Sequence, residues 1–230
     1  MDEALARKLK SPKYRQRPTL PFSYDEVVRI LAAANTLIEE AVTPAGKASA
    51  YRLRGLVLLL RYSGMRIGDA VRLRVDRITG NKRFLYTQKT DVPVYAVLPG
   101  FVARTLDATP RAAAAHFFWC GTGTLDGVVS SWRKRLAKFF SKAGIPNGHA
   151  HRFRDSFATE LLLGGVPTER VAILLGHQSV KVTEKYYSAW TGDRQRQIEA
   201  DLQRAWDRDP IVLLETKGTP EVHGNSEVVN

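Results

Sequence analysis

A mainly helical α+β domain with one small antiparallel sheet is what this sequence predicts, and three features carry the prediction. Apolar residues recur at helical spacing behind a capping-box signature, Ser23 followed by Glu26. One stretch, residues 83–99, switches to two β-rich runs around a short polar turn. The 230 residues, 44% apolar and 25% charged, suffice for one sizeable core or two small domains.

Residues 1–21 carry Arg7, Lys8, Lys10, Lys13, Arg15 and Arg17, punctuated by Pro12, Pro18 and Pro21, with only Asp2 and Glu3 as acids. Such a segment cannot build a core and reads as an extended basic arm or linker. The packed domain is expected over 22–209. Val27, Ile30, Leu31 and Ala34 mark its first helix. The apolar stretch 53–62 predicts a buried helix stopped at Ser63-Gly64, and a short helix follows with Ala70, Val71 and Leu73 inward. FLYTQ, then KTD, then VPVYAVLP predicts a hairpin with Lys89 in its turn. Helices are expected near 101–107 and 128–143, the second bearing Arg133, Lys134, Arg135, Lys138 and Lys142 on a side whose ordinary role is solvation.

After a turn at 144–148, a helix is expected over 151–163, ended by Gly164-Gly165. Pro167 suits a first helical position, and Val171, Leu174 and Leu175 form the stripe of a helix that stops at Gly176. A further helix is expected near 193–206. Beyond it the polar tail, 210–230, reads as disordered.

The 35 Lys and Arg against 23 Asp and Glu leave +12 and a pI near 10.0, which favours a polyanionic partner, nucleic acid first. A solvated positive face is the ordinary alternative. Cys120 is the only cysteine, so an internal disulfide and a CxxC metal site are excluded, and a small buried thiol is expected. No apolar run approaches the roughly 20 residues that span a bilayer, and no signal-peptide core is present, so an intracellular, cytoplasmic protein without membrane contact is expected.

His151 and Arg154 stand three apart, on one helical face beside the stripe of Phe153, Phe157 and Leu161. There a guanidinium can hold a phosphate bidentately and an imidazole can add a donor, although a structural histidine and a surface arginine are the ordinary explanation of HxxR. His177 follows Gly176 at a helix end, where a capping role is the plain alternative. Tyr186 and Tyr187 read first as a buried aromatic pair. A phenol beside two cations, however, is expected to lose its proton more easily than its usual pKa near 10 suggests, and tyrosine is a known covalent nucleophile.

HRFR at 151–154, followed by LLGHQSVKVTEKYY, resembles the C-terminal signature of the tyrosine recombinases, the phage integrase family. That family carries an earlier arginine after a helix-ending glycine, matched by Arg66 in YSGMRIGD, and a hairpin lysine, matched by Lys89 in TQKTDVPVYAVLP. The resemblance covers about residues 22–190 and implies the tyrosine recombinase catalytic-domain fold. It further implies that Arg66 and Arg154 clamp the scissile phosphate, that His151 and His177 assist, that Lys89 protonates the leaving 5′ oxygen, and that a tyrosine attacks phosphorus and keeps the 3′ phosphate. The guanidinium pair supplies the charge stabilisation that two-metal nucleases take from cations, so no metal, ATP or other cofactor is expected. The implied partners are double-stranded DNA, three further copies in a homotetrameric synapse, and accessory DNA-bending proteins.

Two departures qualify the transfer. Asp155 stands where many members have a second histidine, and a structural role is expected for it. Most members place the nucleophile where Tyr186 lies, but a subgroup with the pattern TEKHYAPW places it one later, and TEKYYSAW selects Tyr187 with Tyr186 as the alternative. Lys82, before the first β-rich run, is a second candidate for the lysine. Only the basic arm precedes Phe22, where complete members carry a helical core-binding domain, so weak, salt-sensitive and poorly discriminating DNA binding is expected. Two other functions stay open. A non-catalytic helix-turn-helix reader would use Gln178, Ser179, Lys181 and Lys185 but leaves Arg66, Lys89 and HxxR idle. A topoisomerase-like enzyme would share the chemical step and relax supercoils.

Overall fold

The computed structural model describes residues 19–187 together with Glu199, Ala200, Leu202 and Arg204. The arm up to residue 18, most of the helix expected at 193–206 and the tail at 210–230 lie outside the described residues. Helix α1, Tyr24–Glu39, starts at the anticipated capping box: Glu26 N–H donates to Ser23 Oγ and the Glu26 carboxylate accepts from Ser23 N–H. Helix α2, Pro44–Ser63, has a proline in its first turn and buries Leu53, Leu56, Leu58, Leu59 and Leu60. Each such side chain, fully buried, stabilises the fold by roughly 1.5–3 kcal/mol. α3 is the short Ile67–Val71.

The sheet has three strands, β1 Ile78–Thr79, β2 Lys82–Tyr86 and β3 Pro93–Val97, in the order β1-β2-β3 and antiparallel throughout. The two-residue β1 was not legible as a strand. Phe84 opposes Tyr95 and Leu85 opposes Val94, so Arg83, Leu85, Val94 and Ala96 face inward while Tyr86, Tyr95 and Val97 face out. Helices α4 Gly100–Ala108, α5 Leu125–Lys142, α6 Ala150–Leu163, α7 Thr168–Leu175 and α8 Val180–Tyr187 complete the described order. Pro167 is the N-cap of α7 rather than its first helical residue.

The principal core joins α1 to α5, the inner sheet face and the start of α6 around Leu56, Leu59, Leu60, Phe140 and Phe153. Phe22 packs its ring on Phe153, 4.7 Å between centroids, and its N–H donates to Ser156 Oγ at 2.7 Å. Arg152 donates to the Leu20 and Pro21 carbonyls and pairs with Glu26 at 2.8 Å, so the residues just before Phe22 are tied to α6 instead of standing free. A second apolar cluster, Ala158, Leu162, Val171, Leu175 and Tyr187, binds α6, α7 and α8 together. On α5 the charge run divides. Arg133, Lys134 and Lys138 are exposed, whereas Arg135 lies 4.6 Å over the Trp132 ring and donates to the Ser49 carbonyl, and Lys142 pairs with Glu40. Cys120 is exposed, not buried as expected, because it sits in an irregular stretch where its thiol meets the Thr122 hydroxyl at 3.0 Å.

Candidate active site

The site begins where α2 stops. Gly64 closes that helix in the left-handed region, φ 61°, and a Cβ there would stand 2.4 Å from the Phe157 ring, so both backbone and space demand glycine. Two residues on, Arg66 is the extended N-cap of α3. The corner is held from below by Arg83, a fully buried cation on β2 whose guanidinium donates to the Ser63 carbonyl at 2.8 Å.

Arg154 rises from α6 into the same corner and is only 3% exposed. Its Nη1 donates to the Gly64 carbonyl at 2.8 Å and its Nη2 to the Leu175 carbonyl at 2.7 Å, the C-terminal ends of α2 and α7, where unpaired carbonyls and the helix dipole favour a cation. Burial pushes its pKa down to about 10, with the Arg66 charge adding to the effect, so it remains a cation at neutral pH. Arg66, Asp69, Thr87 and Arg154 line one cavity, and Arg66 Nη1 is buried with no hydrogen-bond partner among the described residues.

His177 follows Gly176, which ends α7 at φ 63° and whose absent Cβ would stand 2.6 Å from Thr87. Arg154 Nη2 lies 2.8 Å from His177 Nε2, and a guanidinium can only donate, so Nε2 carries the lone pair and Nδ1–H donates to the Thr183 hydroxyl at 2.8 Å. The ring is neutral: desolvation first, then Arg154, Arg66 and His151, push its pKa down to about 4. His151 is driven below its ordinary value by desolvation and then by Arg154, Arg66 and Lys89, although its side chain is 56% exposed and water screens those charges.

Lys89 lies exposed in the β2–β3 turn, as anticipated, and the turn is tethered on both sides. Gln88 N–H donates to Asp69 Oδ1 at 2.8 Å, the Thr90 hydroxyl donates to the Gly176 carbonyl at 3.0 Å, and Gln178 Nε2 donates to the Thr90 carbonyl at 3.4 Å. Lys82, the other candidate, is exposed at the opposite end of β2.

Tyr187 is 6% exposed in the second apolar cluster, and its hydroxyl donates to Asp155 Oδ1 at 3.1 Å. The expected easy loss of its proton is corrected by this geometry. Desolvation and the Asp155 charge raise the phenol's pKa and outweigh Arg154 and Arg66, which lower it. The Tyr186 side chain lies outside the described residues. Arg66, His151, Arg154, His177 and Tyr187 thus converge at one place, with the Lys89 turn at its edge. Sequence reasoning missed Asp69 and Thr90 as tethers, Thr183 as the partner of His177 and Arg83 as a buried cation. Only Asp69, on the turn of helix carrying Arg66, left a readable trace. Among the described residues no group of three or more His, Cys, Asp or Glu could hold a metal ion.

The model of the phage integrase family matches residues 22–191. Tyrosine recombinase XerC of Rhodospirillum centenum is 32% identical over 187 residues, 77% of this chain and 52% of the relative, so the chain spans about half of that relative's length. Among solved structures, XerH site-specific recombinase bound to a palindromic difH substrate, in a post-cleavage complex, superposes with a TM-score of 0.61 at 20% identity, covering 80% of this chain and 53% of that one. The catalytic domain of bacteriophage HP1 integrase superposes with a TM-score of 0.51 at 18% identity, covering 74% of this chain and 88% of that one. The mainly helical domain with its three-stranded sheet is therefore a tyrosine recombinase catalytic-domain fold, and the chain belongs to the phage integrase family.

Proposed function

We propose that this chain is the catalytic domain of a site-specific DNA recombinase that cleaves and rejoins strands through a 3′-phosphotyrosine. The observation that carries the reading is the pair Arg66 and Arg154 on one cavity, the first with a buried Nη1 that has no hydrogen-bond partner among the described residues, and both close enough for their charges to act on the Tyr187 phenol. Two guanidiniums so held stabilise the negative charge that accumulates as phosphorus becomes pentacoordinate. Tyr187 attacks, with Tyr186 as the alternative. His151 and His177 hydrogen-bond the phosphate, whose negative charge favours the protonated imidazole that His177 needs to turn Nε2 into a donor. Lys89, carried by a tethered turn, protonates the departing 5′ oxygen. The phosphotyrosine conserves the bond energy, so rejoining needs no ATP.

The neighbours' names support DNA as the partner, the Tn1549 transposon integrase being in complex with transposon right end DNA. Exchange between two duplexes needs four strand cleavages and hence a tetramer on DNA, assisted by accessory bending proteins. The catalytic unit is taken as residues 22–209, flanked by a basic arm over 1–21 and a tail over 210–230, and its place of work is the cytoplasm. The exposed Gln178, Ser179, Lys181 and Lys185 favour groove contact by the α7–turn–α8 unit as well, within the enzyme or in a non-catalytic reader.

The test is incubation with suicide DNA substrates in EDTA and denaturing electrophoresis for a covalent adduct. Adduct is expected from the wild type and from Tyr186→Phe and none from Tyr187→Phe. Loss in Tyr186→Phe alone moves the nucleophile. No adduct from a substrate shown to be bound favours the reader.

A further inference from the structure

Asp155 has no part in clamping the phosphate or in protonating the leaving group, yet it touches the reacting atom. Its Oδ1 accepts the Tyr187 hydroxyl at 3.1 Å, and its Oδ2 is buried with no hydrogen-bond partner among the described residues. The residue is 7% exposed. The cations nearest in sequence are committed elsewhere: Arg154 to the Gly64 and Leu175 carbonyls and His177, Arg152 to the Leu20 and Pro21 carbonyls and Glu26. His151 Nε2 stands 3.7 Å from Oδ1 on a half-exposed side chain, outside hydrogen-bond length. A buried carboxylate kept for structure is ordinarily satisfied by charged or multiple donors. Among the described residues this one has a single phenol as its hydrogen-bond partner.

We infer that Asp155 is the general base of strand cleavage, taking the Tyr187 proton as the phenolic oxygen attacks phosphorus. The inference rests on Tyr187 being the nucleophile. The O–H bond of Tyr187 breaks and its proton passes to Asp155 Oδ1, the phenolic oxygen forms the new P–O bond, the bond to the 5′ oxygen breaks, and that oxygen takes a proton from Lys89. In rejoining, the 5′ hydroxyl attacks, its proton returns to Lys89, and the departing phenolate recovers the proton held by Asp155. Atoms and charges balance in both directions.

The electrostatics agree with this assignment. Because burial holds the Tyr187 pKa high, a free phenolate is not available beforehand, and the proton must leave during attack to a base already in contact. Desolvation pushes the Asp155 pKa up to about 6, against the Tyr187 hydrogen bond and the charges of His149, Arg154 and Arg152, so at pH 7 it is ionised yet far more basic than an exposed carboxylate. The groups facing it are Tyr187 from α8, His149 at the N-cap of α6, and His151, Arg152 and Arg154 on α6 itself.

Asp155→Asn keeps the side chain's size and an acceptor for the phenol but cannot take its proton. Under single-turnover conditions with saturating suicide substrate, adduct formation should slow by roughly 10²–10³-fold while DNA affinity and thermal stability stay near wild type. The wild-type rate should climb with pH through about 6 and then level, a limb that Asp155→Asn loses. Asp155→Glu should recover part of the rate. A substrate with sulfur at the bridging 5′ position needs no leaving-group acid: it should rescue Lys89→Ala and leave Asp155→Asn slow. Wild-type rate with an unchanged pH profile in Asp155→Asn, or faster cleavage from a released tyrosine, overturns the proton-transfer role while the recombinase reading stands. Absence of any adduct from the bound wild type overturns both.

Discussion

Arg154 shows how much of this site a single side chain organises. It is buried, it satisfies the last carbonyls of two helices, and it fixes the tautomer of His177. A lysine carries the same charge without the planar fork, so it cannot reach both carbonyls and the imidazole at once. Arg154→Lys should therefore lower adduct formation by on the order of 10²-fold, measured with suicide substrate, and lower the melting temperature as well. His177 supplies a second prediction, on pH. Its pKa falls from 6.5 in the unfolded chain to about 4 in the fold, so between those values the unfolded state binds more protons. Its contribution to stability is present above pH 6.5 and is lost as pH falls toward 4. Asp155 runs the other way: with a folded value near 6 it favours the fold at low pH and loses that contribution as pH rises through about 6. The two oppose each other over the same window. Melting curves from pH 7 to 4 should thus fall less steeply in His177→Asn than in the wild type, and more steeply in Asp155→Asn.

At the scale of elements, the site is built where helices end. Gly64 and Gly176 each turn the chain left-handed, and each lies against a side chain that a Cβ would strike. Gly176→Ala would meet Thr87 at 2.6 Å and Val94 at 3.0 Å on top of the backbone strain. It should destabilise the domain by about 1–3 kcal/mol in denaturant titration and loosen the hairpin against α7. The hairpin's own tether is testable separately. Thr90→Val removes the hydroxyl that donates to the Gly176 carbonyl, at a cost of about 1 kcal/mol. With the turn then held by the Gln88–Asp69 and Gln178–Thr90 hydrogen bonds, Lys89 is less firmly placed, so cleavage of an ordinary substrate should slow several-fold, while a 5′-bridging sulfur substrate should be cut at the wild-type rate.

For the molecule as a whole, the surplus of +12 sets how it meets a polyanion. Not every cation is available: Arg135, Lys142, Arg152 and Arg83 are occupied within the fold, which leaves groups such as Arg133, Lys134, Lys181 and Lys185 exposed. The logarithm of DNA affinity should fall linearly with the logarithm of salt concentration. Lys181→Ala, if that residue meets a phosphate, should reduce the slope by about 1 in fluorescence anisotropy titrations. A slope unchanged in every exposed-lysine variant would place the DNA on another face.

Local chemistry determined much of this protein in advance. The Ser23 capping box, the leucines of α2, the Gly64 and Gly176 stops and the hairpin around Lys89 were legible because each depends on neighbours within a few residues. So were the candidates Arg66, Lys89, His151, Arg154, His177 and Tyr187, whose residue types and order match a family pattern. Only the tertiary structure decided what those residues are once packed. It buried Arg154 on two helix ends, and it buried Tyr187 against the Asp155 carboxylate, so that desolvation first and the Asp155 charge second raised a tyrosine pKa that its cationic neighbours alone would have lowered. The reason is physical: desolvation and hydrogen-bond partners depend on which surfaces meet across the whole chain, and no spacing along it records them.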